Sequence, residues 1–178
     1  MVNRVAESQA VAPGDKSRPN ISVILPAHQE EGYVGACLRA LAGQRMSADI
    51  RPEVVVVANG CTDATAEVAR RMCAVLQQAG WRCQVLETPA GGKVGALNIG
   101  DAAADAGIRV YLDADIVVGP CMIERVFRAL SGPGPRYAGA KLVVPAPNSR
   151  ISVAYARFWQ KLPFVARTAT GAGLFAVN

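Results

Sequence analysis

Apolar and polar residues follow two rhythms along this chain, and the two rhythms take turns. Ile21, Val23, Ile24 and Leu25 form a short apolar run that Pro26 stops, which predicts a buried strand over residues 21–25. Val34, Leu38 and Leu41 then recur at helical spacing, which predicts a helix over residues 31–41. Residues 53–57 repeat the strand signal with consecutive valines. Residues 63–78 return to the helical period, with Val68, Met72, Val75 and Leu76 on one face, Thr62 or Asp63 at the start and Gly80 after the end. The same alternation predicts a strand over 82–86, an alanine-rich helix over 93–106, a strand over 108–112 and a helix over 120–130. A strand over 137–144 and a helix over 151–162 follow, and residues 171–177 read as an interior strand. Strands separated by helices build right-handed βαβ units. The expected fold class is therefore α/β, with a mostly parallel, Rossmann-like central sheet covered on both faces. Residues 1–20 are polar, carry Pro13, Gly14 and Pro19, and predict a flexible N-terminal arm ahead of one domain over 21–178. Because no polar tail follows the last strand pattern, the domain is expected to be incomplete at its C-terminus, or an oligomer completes its sheet.

Composition narrows the class. The 178 residues suffice for one domain with a real core, and 51% hydrophobic against 19% charged content excludes extensive disorder. No apolar run approaches the roughly 20 residues that span a bilayer, and the first residues lack the apolar core of a signal peptide. The five cysteines form no CxxC pair and are expected to be reduced and structural, which fits a cytoplasmic location. His28 is the single histidine, so a His-rich metal site is excluded. The net charge is +5, unevenly spread: all 14 acidic residues lie at or before Glu124, whereas basic residues continue to Arg167. A basic stretch attracts phosphate, acidic lipid or nucleic acid. With no stacking-aromatic pattern or known nucleic-acid module, nucleic acid is not an expected partner. A solvated face and a peripheral contact with the inner face of a membrane both remain open for it.

The chemistry gathers where strands end. In open α/β sheets, ligands bind outside the carboxyl ends of the strands. Four segments should meet there: residues 26–31, 58–63, 90–98 and 113–115. In the last, Asp113 and Asp115 stand one residue apart after a strand, a pattern suited to Mg²⁺ or Mn²⁺, with a nucleotide diphosphate supplying further oxygen ligands. Gly91 and Gly92 permit close backbone approach, and Lys93 at a helix start can meet phosphate or a carboxylate. Asn59 offers a donor and an acceptor to a base edge. Taken singly, each segment also reads as an ordinary turn or helix start.

In this order and spacing the four segments resemble the nucleotide-sugar glycosyltransferases of family 2, which have the GT-A fold. Pro26-Ala27-His28-Gln29-Glu30-Glu31 is similar to that family's PAYNEE opening, and residues 56–63 to its VDDGSTD segment. Residues 92–100 match GKxxALNxG, and residues 111–116 match the xxDADx metal motif. The resemblance implies a GT-A-like three-layer sandwich. It implies transfer of a sugar from a nucleotide-diphosphate donor to an unidentified acceptor hydroxyl, dependent on Mn²⁺ or Mg²⁺, with inversion as the family expectation. It also implies site roles. Pro26, Ala27 and Glu30 would line the nucleotide pocket and Asn59 would face the base. Lys93 and Asn98 would lie near the donor. Asp113 and Ala114 would shape the donor site, and Asp115, with Asp113 beside it, would ligate the metal. Residues 171–173 resemble the GAG segment bordering the acceptor.

Three departures qualify the resemblance. Asn59 stands where the family usually has an acidic residue that reads a uracil imide. His28 replaces the usual tyrosine. The family's general base lies in an acidic motif beyond GAG, and no Asp or Glu follows Glu124 here. No catalytic base is therefore assigned, and the chain as it stands is expected to lack transfer activity. The alternative function is a catalytically incomplete nucleotide-sugar-binding module. A dinucleotide-dependent dehydrogenase is disfavoured because residues 90–95 lack the first glycine of GxGxxG and follow the third strand rather than the first. A sugar-1-phosphate nucleotidylyltransferase is disfavoured because residues 26–31 hold no glycine.

Overall fold

Every residue of strand β1 (Ile21–Ala27) is buried, which puts this strand in the interior of the sheet. The computed structural model describes residues 18–89, 91–140 and 173–178. From β1 the chain runs through α1 (Val34–Ala42), β2 (Pro52–Asn59), α2 (Thr65–Gln78), β3 (Arg82–Thr88), α3 (Lys93–Ala103), β4 (Ile108–Leu112), α4 (Met122–Leu130) and β5 (Tyr137–Gly139) to β6 (Leu174–Val177). Among the described residues these strands form one six-stranded sheet in the order β3-β2-β1-β4-β6-β5. The first four are mutually parallel, and β6 runs antiparallel to both β4 and β5. The α/β class and the mostly parallel sheet are as expected, and the last strand is indeed interior, lying between β4 and β5.

Side-chain alternation assigns the two faces. Ile21, Val23, Leu25, Val54 and Val56 point to one side and pack with α1, α2 and α4 through Leu38, Leu76 and Ile123. Val55 and Val57 point to the other side, against Ala96 of α3. Helix α3 lies close to the sheet because Gly100 has no side chain. A Cβ there would sit 2.5 Å from Ile24 Cγ2 and 3.3 Å from Val57 Cγ2.

The amino edge of the sheet carries a buried polar anchor. Ser22 and Glu53 are opposite one another in the β1–β2 register, and the Ser22 hydroxyl donates to Glu53. Glu53 also accepts the Asp105 backbone N–H at 2.6 Å, and Ser22 Oγ accepts that of Ala106 at 3.0 Å. These contacts take up backbone donors that a longer helix would use internally, so α3 ends at Ala103 and not at the expected residue 106.

Other boundaries shift for similar reasons. The helix expected from residue 31 begins at Val34, because Glu30 O accepts from Tyr33 and Val34 in a preceding turn. The helices expected from residues 63 and 120 begin at Thr65 and Met122. Residues 18–20, expected in the flexible arm, are tied down: the Asn20 side chain donates to Asp49 O at 2.7 Å and accepts from Arg51 N at 2.8 Å. The rest of that arm, the helix over 151–162 and residues 141–144 of the segment over 137–144 lie outside the described residues. The cysteine expectation needs correction. Cys73 of α2 and Cys83 of β3 form a disulfide, with Cα atoms 5.4 Å apart, because the short turn after α2 lays that helix beside β3. Cys37, Cys61 and Cys121 are free. Among the described residues, no helix is long and apolar enough to cross a membrane.

Gly100→Ala is expected to destabilise the fold by about 1–3 kcal/mol through overpacking. Gly95→Ala, on the open side of α3 with nothing within 4 Å, is expected to leave stability unchanged or raise it by up to about 1 kcal/mol. Urea unfolding of the two variants checks the contrast.

Candidate functional site

Parallel pairing brings the ends of β1, β2 and β4 and the start of α3 to one edge. There they enclose an open cleft of about 350 Å³, lined by Pro26, His28, Glu30, Asn59, Gly92, Lys93, Asp113, Ala114 and Asp115. Six of the eight donor-site residues expected from sequence, together with the expected metal ligand Asp115, thus meet. Two expected residues stand apart from the lining. Ala27 is buried and presents its carbonyl to Asn59. Asn98 is exposed on α3, more than a turn beyond Lys93. His28 also lines the cleft, with no site role expected of it from sequence, and Gly92 lines it as one of the two glycines expected to permit close backbone approach.

The first two loops interlock. Gln29 holds Thr62 from both ends of its amide, donating to Thr62 Oγ1 at 2.8 Å and accepting the Thr62 N–H at 2.7 Å. Its φ of 57°, unusual for a residue with a side chain, is the turn that makes this reach. Asp63 Oδ2 accepts the Glu31 N–H at 3.1 Å, and Glu31 Oε2 accepts the Ala64 N–H at 3.0 Å. Each loop therefore caps backbone groups of the other. Hydrogen bonds from the Thr65 hydroxyl, then from backbone N–H groups of Thr65 and Glu31, hold the Asp63 carboxyl below its usual range.

The second and third loops touch through backbone. Gly60 has φ of +59°, and a Cβ there would come within 3.1 Å of Gly91 backbone atoms. Asn59 borders the cleft but is only 3% exposed, and both ends of its amide turn inward. Nδ2 donates to Ala27 O at 2.8 Å, and Oδ1 accepts the Gly92 N–H at 3.0 Å. Its backbone carbonyl pairs with His28 Nδ1 at 2.7 Å. A carbonyl can only accept, so Nδ1 is the donor in this bond.

The fourth loop supplies negative charge. Lys93 Nζ meets Asp113 Oδ1 at 2.6 Å in a largely exposed ion pair, and Asp115 is exposed with no ion pair among the described residues. Glu30 feels the imbalance. Burial first, then the charges of Asp115, Asp63 and Asp113, raise its carboxyl above the usual value near 4.5. Beneath the site, burial and then the same Asp115 and Asp113 charges push the Cys37 thiol up to about 12. Carboxylates that repel one another in this way suit a cation. No group of three or more His, Cys, Asp or Glu side chains converges on a metal position among the described residues. A divalent ion at Asp113 and Asp115 would therefore take further oxygen ligands from a bound molecule, as hard cations do with phosphates.

Comparison with known proteins identifies the setting of this cleft. The profile of "Glycosyl transferase family 2" matches residues 22–174. The chain belongs to this family. It is 30% identical over 131 residues to "Glycosyltransferase AglE" of Haloferax volcanii, an alignment covering 73% of this chain and 41% of that protein. It thus spans less than half the length of that relative. Its fold is similar to that of "Mannosyltransferase PcManGT from Pyrobaculum calidifontis in complex with GDP-Man and Mn2+", with a TM-score of 0.65 and 24% identity over 93% of this chain and 46% of the other. It is also similar to glucosyl-3-phosphoglycerate synthase from Mycobacterium tuberculosis, solved with Mn2+, UDP and glucosyl-3-phosphoglycerate. There the TM-score is 0.56 and the identity 22%, covering 90% of this chain and 57% of that one. These neighbours are GT-A glycosyltransferases, and the expected three-layer GT-A-like sandwich is the fold observed.

The raised Glu30 carboxyl means that the folded protein holds this proton more tightly than the unfolded chain. Stability from this group is present below about pH 4.5 and is lost as pH rises through the raised value. Without added divalent ions, Glu30→Gln is expected to melt higher than wild type at about pH 7 and equally at about pH 4, as thermal melts at the two pH values will show.

Proposed function

We propose that the cleft binds a nucleotide-diphosphate sugar with Mn²⁺ or Mg²⁺, and that the chain serves transfer of the sugar to an acceptor hydroxyl with inversion. The observation that carries this reading is the juxtaposition of Asp113 and Asp115 with Lys93 at the start of α3, in the loops that match the family. The family relatives and the Mn2+-containing complexes of similar fold support it.

The chain's own groups divide the work. Pro26, His28 and Glu30 form the wall of the nucleotide pocket, Ala27 lies buried behind them, and Asn59 forms the floor. Lys93 brings its ammonium toward the diphosphate at the start of α3, and Gly92, whose N–H is held by Asn59, permits the close approach. Asp115 and Asp113 would hold the cation, with Ala114 buried between them, and Asn98 stands apart, more than a turn along α3. When bound, a divalent ion neutralises the negative charge that builds on the leaving diphosphate. Lys93 then has two partners to choose from, Asp113 or a phosphate oxygen, and the cation would free it from the first.

A thermal-shift series with UDP, GDP and dTDP, with CMP as control, tests the donor site. A ligand that binds only the folded chain raises the melting temperature. A shift that needs Mn²⁺ is expected with at least one diphosphate. Asp115→Ala is expected to abolish the Mn²⁺-dependent part with the fold intact. Lys93→Ala is expected to weaken binding roughly tenfold, the scale of one charge-assisted hydrogen bond at a partly exposed site. Mn²⁺-dependent shifts that survive Asp115→Ala would refute the metal assignment. Product analysis with donor and acceptor then separates transfer from binding alone.

A further inference from the structure

We infer that Asn59 is a positioning residue that latches the start of α3 to the end of β1, and that it does not read the donor base. The inference rests on the donor-site reading above and refines it. Its ground is the direction of the amide. Nδ2 donates to Ala27 O at 2.8 Å and Oδ1 accepts the Gly92 N–H at 3.0 Å, in a side chain that is almost fully buried. Both polar ends are engaged within the protein, on opposite sides. Nδ2 keeps a second N–H and Oδ1 a second lone pair, but a side chain only 3% exposed gives a base almost no surface from which to reach them.

What the latch holds is the entry to α3. Gly92 is the residue before Lys93, with φ of +132°, a conformation that side-chain-bearing residues rarely adopt. The Gly92 carbonyl accepts the Ala96 N–H at 3.1 Å, the first bond of the helix. Gripping Gly92 through its N–H thus fixes where α3 begins, and with it where Lys93 projects toward Asp113. An amide is required for this task. Aspartate, the residue type usual for the family, could still accept from Gly92. It would turn a second oxygen onto the Ala27 carbonyl, and it would bury a charge there. The asparagine therefore belongs with a loop arrangement in which base discrimination falls to other groups of the wall.

The test compares UDP, GDP and inorganic pyrophosphate, each with Mn²⁺, by titration calorimetry on the 178-residue chain and its Asn59→Asp variant. Pyrophosphate has no base to read. All three ligands are expected to weaken by a common factor of roughly tenfold, the scale of one lost buried hydrogen bond. The loss should shrink markedly in a Lys93→Ala background, because Asn59 acts through Lys93. Unchanged pyrophosphate binding with an altered preference between UDP and GDP would overturn the latch and make Asn59 a base reader. Nuclear magnetic resonance on the unmutated, ligand-free chain provides a second readout that does not depend on the variant folding. Slow solvent exchange is expected for the Asn59 Nδ2 protons and the Gly92 amide proton, and exchange at the rate of exposed amides would overturn the latch. If the wild-type chain bound none of the three ligands, the donor-site reading would fail, and the exchange measurement would still decide the latch by itself.

Discussion

The parallel pairing of β1 with β2 on one side and β4 on the other is the constraint on which the rest depends. Ile21 pairs with both Pro52 and Ile108, and Ile24 with both Val55 and Tyr111. Strands that run the same way in register must end at the same edge. Loops separated by tens of residues in the chain are thereby forced together, whatever their own preferences. The apolar content of β1 and β2 makes the arrangement favourable, since both are buried along their full length. Polar chemistry is confined to the rim, where backbone groups leave the ladder and need new partners.

Helix α3 is the second element of that design, held at both ends. At its far end, Glu53 and Ser22 receive the turn into β4. At its near end, Gly92 is bonded to Asn59. Between them, Gly100 lets the helix axis approach the sheet more closely than any side chain would allow. A helix so placed carries Lys93 to the edge at a defined height. The Lys93–Asp113 pair is exposed, and such pairs contribute little to stability. Its importance is electrostatic: one ammonium stands beside three carboxylates, Glu30, Asp113 and Asp115. Burial first, and then that imbalance, raise the Glu30 carboxyl.

The interlocked loops show how such a charged edge keeps its shape. Gln29 with Thr62, and Glu31 with Asp63 and Ala64, exchange hydrogen bonds in both directions. Neither loop is capped by its own side chains alone. The rigid part of the site is thus the first and second loops, joined to the third through Asn59. Asp115 on the fourth loop has no such tie among the described residues.

The sequence by itself determined the order of strands and helices, because runs such as residues 21–25 and 53–57 are too apolar to lie anywhere but in a buried strand. It determined which residue types meet at the carboxyl edge, since βαβ units put every loop after a parallel strand on that side, and it carried the family motifs. It did not determine where helices start and stop. Those boundaries follow from partners distant in the chain: Glu53 for the end of α3, Asp63 and Glu31 for the approach to α2. It did not reveal that Cys73 and Cys83 face each other, which needs α2 folded back on β3. Nor could it orient Asn59, whose amide could equally serve a base. Only the tertiary structure places Ala27 O and Gly92 N on either side of that amide, because hydrogen bonds are directional and short, and a periodic pattern carries no record of groups about 30 residues away.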